Sequence, residues 1–547
     1  MDPKTLDLML RAKNKGCPLV AITTPDPTVV AHEVAKHYAK HEINIQGDPT
    51  PTTRVDWDFV RGLYSSWMPT KEQPTPSANS KDPDERGAAW IASMQPKAQD
   101  QPKAFASFSG QPPQKAPGVG DATEALVLLQ KLPAQSVVFF HQAGRHLGDD
   151  PRCFSANQAA ANLRDGYKGN KRMIVFLGQP LNLPDEIRGD TLRLDDPLPT
   201  APQLVTLFDR HKNLGDKVKD KKVRDRAAAF SSGMTWFSAE TNLYLTAGAD
   251  GINLDELRSF RHASINERKG LGVYQNNSKL DDIGGLKYVK DFMWRSCTGK
   301  RPPNMIINVE EINEAIGQDS NNIGQDQLMQ LLDNMEKYKD RGIIFFGVPG
   351  CSKSFLAQSL GNSLGVDTLQ FDLGAMKQGI VGSSEENIRQ ALEVSAAASG
   401  GRRLWIATCN SLAEIPGNLL RRFTRGTLFF DLPDVDEKKN IWQLQRKAYG
   451  ITASQGKGKI DDTDWSGADI RNCCEMADDM DIAIKEAAQD ISPVAHEDPG
   501  YVHDMRMRAH GKIKSASTGK KYRYPQAKTE RDEVVMASVN RGGRDID

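Results

Sequence analysis

No stretch of the chain approaches the roughly 18 consecutive apolar residues that a membrane-spanning helix requires. The opening Met1-Asp2-Pro3-Lys4 leads into a charged amphipathic stretch, without the apolar core and small-residue cleavage site of a secretion signal, so a cytoplasmic protein making no membrane contact is expected. Net charge is missing too: 71 basic and 71 acidic side chains cancel, leaving no global field to steer the whole molecule to nucleic acid. Cysteine is sparse, seven residues in 547. The one adjacent pair, Cys473-Cys474, sits inside a helical pattern with no second pair at zinc-site spacing, so reduced, structural thiols are expected. His141 and His146 likewise lack a third converging ligand and are read as ordinary hydrogen-bonded or exposed histidines.

The length exceeds what one hydrophobic core usually organises, about 250 residues, which predicts several units. Residues 1–199 read as an α/β domain: the short apolar run Leu19-Val20-Ala21-Ile22, a helix over Val29 to Ala39, strands over Ser136 to Phe140 and Arg172 to Leu177, and a helix at Asn157 to Leu163. A Pro, Ser, Gln, Lys and Gly-rich insertion near 66–119 buries too little apolar surface to order its backbone, apart from a short helical pattern at Ala89 to Met94. Residues 200–270 are helical in pattern with no convincing strand, 281–433 form a second α/β core, 434–509 a helical lid, and 510–547 a mobile basic tail. The tail's Lys512, Lys514, Lys520, Lys521 and Arg523, interleaved with Tyr522 and Tyr524, offer charge to phosphates and rings to bases, although short lysine-rich ends are commonly just solvated.

The strongest local signal is Ile343-Ile344-Phe345-Phe346 running into Gly347-Val348-Pro349-Gly350-Cys351-Ser352-Lys353-Ser354, after which Phe355, Leu356, Leu360 and Leu364 trace a helical face. A buried strand, a small-residue loop and a helix in this order make a phosphate cradle. Loop amides and the helix N-terminus face the anion, Lys353 reaches the terminal phosphates, and the Ser354 hydroxyl ligates magnesium. The expected ligands are therefore ATP and Mg2+, held by Gly347 to Phe355. Ser352 stands where this motif has its last glycine, so binding is read as more secure than fast hydrolysis.

Such a site also needs an apolar strand ending in two acids, placed beside the loop's strand, to organise magnesium and activate water. None follows the loop: Thr368 to Leu373 and Leu404 to Asn410 end differently, and no room remains between them for another strand and helix. Ahead of the loop, Met305-Ile306-Ile307-Asn308-Val309 ends in Glu310-Glu311 and leads into a helix over Asp326 to Tyr338. The reading is that one strand-helix unit stands before the loop instead of after it, with the site's geometry intact.

Together with Asp281-Asp282-Ile283-Gly284-Gly285, Val381 to Arg389, Ala407-Thr408-Cys409-Asn410, Leu419-Leu420-Arg421-Arg422-Phe423 and Phe430-Asp431-Leu432-Pro433, these motifs resemble AAA-type P-loop ATPases, particularly the bacterial, plastid and phage branch with a degenerate N-terminal ATPase-like domain. The close resemblance covers about 281–490. It implies an α/β P-loop NTPase parallel sheet with a C-terminal helical lid, preceded by a degenerate P-loop-like domain and a helical subdomain. It also implies that Glu311 is the catalytic glutamate, that Glu310 replaces the usual metal-organising aspartate, and that Asn410 senses the γ-phosphate. Arg421, Arg422 or Arg425 would reach a neighbouring subunit's nucleotide, which requires a homo-oligomer, commonly a hexameric ring. The pore-loop position of polymer-threading relatives matches Ile380-Val381-Gly382, without the usual aromatic. ATP hydrolysis coupled to remodelling of a macromolecular client is the leading expectation; a nucleotide-gated, non-hydrolysing scaffold and a nucleic-acid-handling ATPase are the alternatives.

Overall fold

The computed structural model describes residues 1–42, 54–60, 62–64, 121–132, 134–248, 251–275, 277–313, 323–377, 383–412, 415–452, 455–456 and 460–524. The 66–119 insertion, the Ile380-Val381-Gly382 triplet and the end of the tail lie outside them. Two compact units emerge, Met1–Pro199 with Thr235–Thr241, and Thr200–Met234 with Asn242–Asp547.

The first unit is built on β1 (Leu19–Thr23), β2 (Arg54–Asp58), β3 (Gly62–Tyr64), β4 (Val137–Phe140), β5 (Met173–Gly178) and β6 (Leu192–Asp195), in sheet order β3-β2-β4-β5-β1-β6. All its strand pairs are parallel except β2 with β3. β4 and β5 are buried along their whole length, as continuous apolar runs covered on both faces should be. The helices Pro27–Glu42 and Phe154–Tyr167 confirm the alternating reading. Sequence reading missed β2, β3 and β6, because Arg-Val-Asp-Trp-Asp and Leu-Arg-Leu-Asp carry charge that periodicity assigns to loops.

In the second unit the helices Ala201–Arg210, Lys221–Ser231 and Leu254–Asn266 pack together and against the following sheet. A two-stranded hairpin, β7 (Ala247–Gly248) with β8 (Gly251–Ile252), interrupts a stretch expected to contain no strand. The sheet consists of β9 (Leu271–Val273), β10 (Met305–Val309), β11 (Arg341–Gly347), β12 (Asp367–Phe371), β13 (Arg403–Cys409), β14 (Thr427–Phe430) and β15 (Lys514–Ser515), in order β15-β14-β11-β13-β10-β12-β9. Every pair is parallel except β12 with β9.

Two expectations are corrected by this order. The acidic strand β10 is not beside the loop strand β11; β13 lies between them, pairing with both. Local sequence specifies that β10 is a buried strand, but strand neighbours are chosen by long-range packing. The basic segment after His510 is also not a free tail over residues 511–524. β15 pairs with β14, the Ala516 amide donates to the Phe429 carbonyl, and the Tyr522 ring lies 4.6 Å from that of Phe429. Composition predicted mobility because it counts apolar side chains, whereas this segment is held by backbone bonds to an open sheet edge.

Capping boxes start the two main lid helices, Asp434 with Glu437 at Val435–Ala448 and Ser466 with Asp469 at Gly467–Asp479. Trp465, Ile470, Cys473, Cys474, Ala477, Ile484 and Ala487 give the lid its own small core. All seven cysteines are unpaired. Among the described residues, no helix is long and apolar enough to cross a membrane.

Candidate active site

The carboxyl ends of β10, β11 and β13 open into a cavity of 1260 Å³, lined by the loop Pro349 to Phe355, by Glu310, Glu311, Thr408 and Asn410, and by lid residues including Ile441, Gly467 and Arg471. Ligand sites in open parallel sheets are expected at this end of the strands. Gly347 and Val348 sit at the strand-to-loop turn. An added Cβ at Gly347, whose φ is +152°, would fall 2.0 Å from the Phe430 carbonyl oxygen, so glycine is required there.

Lys353 begins the helix Lys353–Leu364 and is almost fully buried. Its ammonium donates to the carbonyls of Gly347 at 2.5 Å and Val348 at 3.1 Å, and to Asn410 Oδ1 at 2.7 Å. All three acceptors are neutral. Burial lowers the lysine's pKa, with the nearby Cys351 and Cys409 thiols and the Glu311 carboxylate acting against that shift. Among the described residues, the amides of Gly350, Cys351, Ser352, Lys353 and Ser354 donate to no backbone carbonyl. A desolvated cation beside a row of unpaired helix-start amides is chemically matched to an anion.

Ser352 adopts the left-handed conformation, with φ +62° and ψ +26°, and its side chain makes no capping bond. This is the backbone state for which glycine is suited. Left-handed geometry costs a non-glycine residue about 1–2 kcal/mol, while glycine loses about 0.5–1 kcal/mol more on ordering. Ser352→Gly is therefore expected to stabilise the fold by about 0.5–1 kcal/mol, read as a higher urea midpoint. A lower midpoint would show that the serine side chain contributes a contact.

The two acids are held differently. Glu310 Oε1 accepts from the Tyr274 hydroxyl at 2.8 Å and from Asn308 Nδ2 at 3.1 Å. Glu311 lies in the left-handed region at φ +46°, and its amide donates to Thr408 Oγ1 at 3.2 Å. Left-handed non-glycine residues persist where surrounding structure dictates them and cluster at functional sites. The Asn410 amide in turn donates to Asn313 Oδ1 at 3.3 Å, tying the end of β13 to the turn after β10. Thus Lys353, Glu310, Glu311, Asn410, Ser354 and the loop surround one cavity although they come from three strands in an altered chain order.

Arg421 and Arg422 end the helix Gly417–Arg422 and are not among the residues that line this cavity. Arg422 pairs with Glu336 at the surface. Four supporting residues escaped sequence reading: Tyr274, Thr408, Asn313 and, in part, Asn308. Asn308 did leave a signal, being a polar residue in an otherwise apolar strand.

The sequence profile of the ATPase family associated with various cellular activities (AAA) matches residues 343–401, which contain the strand, loop and helix just described. The segment belongs to an AAA domain. Uncharacterized AAA domain-containing ycf46 proteins are similar to the chain. That of Guillardia theta is 22% identical over 339 residues, covering 54% of this chain and 61% of its own length. That of Trieres chinensis is 20% identical over 370 residues, covering 59% and 67%. A crystal structure of the FIGL-1 AAA domain aligns over 44% of this chain and 92% of its own at 14% identity, with a TM-score of 0.28, too loose a likeness to add to the argument. The AAA assignment and the α/β P-loop fold agree with the sequence reading. The profile match ends before Asn410 and excludes Glu310 and Glu311.

Among its described residues, the first unit shows no equivalent cradle. Following β1, Thr24 donates through Oγ1 to Asp196 at 3.2 Å, and the Asp26 amide donates to Thr24 Oγ1 at 3.1 Å, so side chains occupy the turn where a phosphate loop would stand. Following β4, His141 Nε2 lies 2.9 Å from Asp56 Oδ1, both buried, whereas β10 of the second unit ends in two glutamates. His146 packs edge-on against Trp57.

Proposed function

We propose that the protein binds ATP with Mg2+ in the cavity between the loop and the lid, hydrolyses it, and couples turnover to remodelling of a macromolecular client in the cytoplasm. The observation that carries this reading is the convergence on one cavity of a buried lysine, a pair of acids and a strand-end asparagine. Lys353 and the amides of Gly350 to Ser354 would hold the phosphates, replacing three neutral acceptors on the ammonium with a full opposite charge. Ser354 and Glu310 would hold the metal; magnesium, when bound, supplies positive charge to phosphate oxygens. Glu311 would orient the attacking water and take its proton. Asn410, already hydrogen-bonded to Lys353, would report whether a γ-phosphate is present.

Arg421 and Arg422 do not line their own chain's cavity, which is compatible with their supply to a neighbour in a homo-oligomer such as a hexameric ring. The lid's separate core supports its motion as a body when the nucleotide changes. A nucleotide-gated scaffold is the second reading, favoured by the left-handed Ser352; tight binding with no turnover in any oligomeric state would select it. Salt-sensitive polynucleotide binding lost on neutralising Lys512, Lys514, Lys520, Lys521 and Arg523 would select nucleic-acid handling.

Lys353→Ala is the direct test. With a fluorescent ATP analogue, affinity is expected to fall about 30- to 100-fold, while the circular dichroism spectrum stays unchanged. Unaltered affinity would remove the loop from the nucleotide site.

A further inference from the structure

Glutamate at position 310 is one methylene longer than the aspartate that the resemblance leads one to expect, so its carboxylate has an additional rotatable bond and needs external restraint. That restraint comes from outside the AAA core as the sequence delimits it. Tyr274 follows β9, and its amide donates to the Thr368 carbonyl at 3.1 Å, prolonging the antiparallel pairing of β9 with β12. β9 is in turn fastened to the preceding helix, since the Val273 amide donates to Asn266 Oδ1 at 2.8 Å.

From this position the Tyr274 hydroxyl donates to Glu310 Oε1, and it accepts from Asn308 Nδ2 at 3.0 Å. The same Asn308 amide also donates to Glu310 Oε1, so the three side chains close a triangle. Asn308 Oδ1 is buried with no partner. The opposite amide orientation would set that oxygen against the carboxylate, so the orientation observed is the one a negative charge at Glu310 selects. Among the described residues Oε2 of Glu310 makes no hydrogen bond, and Glu310 lines the nucleotide cavity.

We propose that Tyr274 is a positioning residue for the magnesium site: with Asn308 it pins one oxygen of Glu310 and leaves the other to face the metal. The inference rests on the proposed ATP site. It makes the segment before residue 281 part of the nucleotide machinery, because displacing β9 would release the pinned oxygen.

The test compares wild type, Tyr274→Phe, Glu310→Asp and the double variant in the full chain, by binding of a fluorescent ATP analogue in EDTA and across a magnesium titration. Tyr274→Phe should leave affinity in EDTA within about twofold and raise the magnesium concentration at half-effect about tenfold. In the Glu310→Asp background the shorter carboxylate no longer reaches the phenol, and Tyr274→Phe should shift the magnesium midpoint less than about twofold. An unchanged midpoint in the single variant, or an equal shift in both backgrounds, overturns the positioning role. Wild type that binds no nucleotide with or without magnesium overturns the ATP site itself, a result distinct from either of those.

Discussion

Glu311→Gln is expected to lower ATP turnover by about 10²- to 10⁴-fold while nucleotide affinity stays within about twofold of wild type. Glutamine keeps the shape and one acceptor oxygen but cannot take a proton from water. The backbone at this residue lies in the left-handed region, and its amide bond to Thr408 is left in place by the substitution. The lysine should also become easier to deprotonate, since the Glu311 charge is one of the influences supporting its charged form. Phosphate release measured beside analogue binding separates the two effects. Retention of more than about a tenth of the turnover would exclude a proton-transfer role of the size that general-base catalysis supplies.

The second large effect concerns stability. Arg403, at the start of β13, lies 2.6 Å from Asp340, and both side chains are completely buried. Arg403 also donates to Asn334 Oδ1 and Ser395 Oγ, its guanidinium lies 4.9 Å from the Tyr338 ring centre, and Trp405 Nε1 donates to Asp340. Burial raises the Asp340 pKa and lowers that of Arg403, in each case against the attraction of the partner, so desolvation outweighs the pairing. Arg403→Met removes one charge and strands the other. A loss of about 3–5 kcal/mol is expected, measured from urea unfolding of the C-terminal unit. Adding Asp340→Asn should recover part of that loss, because no buried charge is then left unpaired. A cost below about 1 kcal/mol for the single variant would show that water reaches the site.

The loop was legible because its chemistry is local: an apolar strand, small loop residues and Lys353-Ser354 must be contiguous to cradle phosphate. The acids at Glu310 and Glu311 were legible for a different reason. No downstream strand could carry them, and the buried strand ahead of the loop ended in two carboxylates. Tyr274 left no such signal, because it lies outside every motif and meets Glu310 through a single hydroxyl. Nor could composition foresee that residues 511–524 would complete the sheet edge, since their contribution is mostly main-chain.

The amino-acid order alone determined the apolar buried strands β1, β4, β5, β10, β11 and β13, the loop Gly347 to Ser354 and the two acids that end β10, because burial pattern and loop chemistry are written in neighbouring residues. Only the tertiary structure decided that β13 separates β10 from β11, that Glu310 is held by Tyr274 and Asn308, and that Lys353 meets Asn410. Those side-chain contacts join residues up to 57 positions apart. Strand order and side-chain pairing at such separations are settled by packing the whole sheet at once, and no local pattern encodes them.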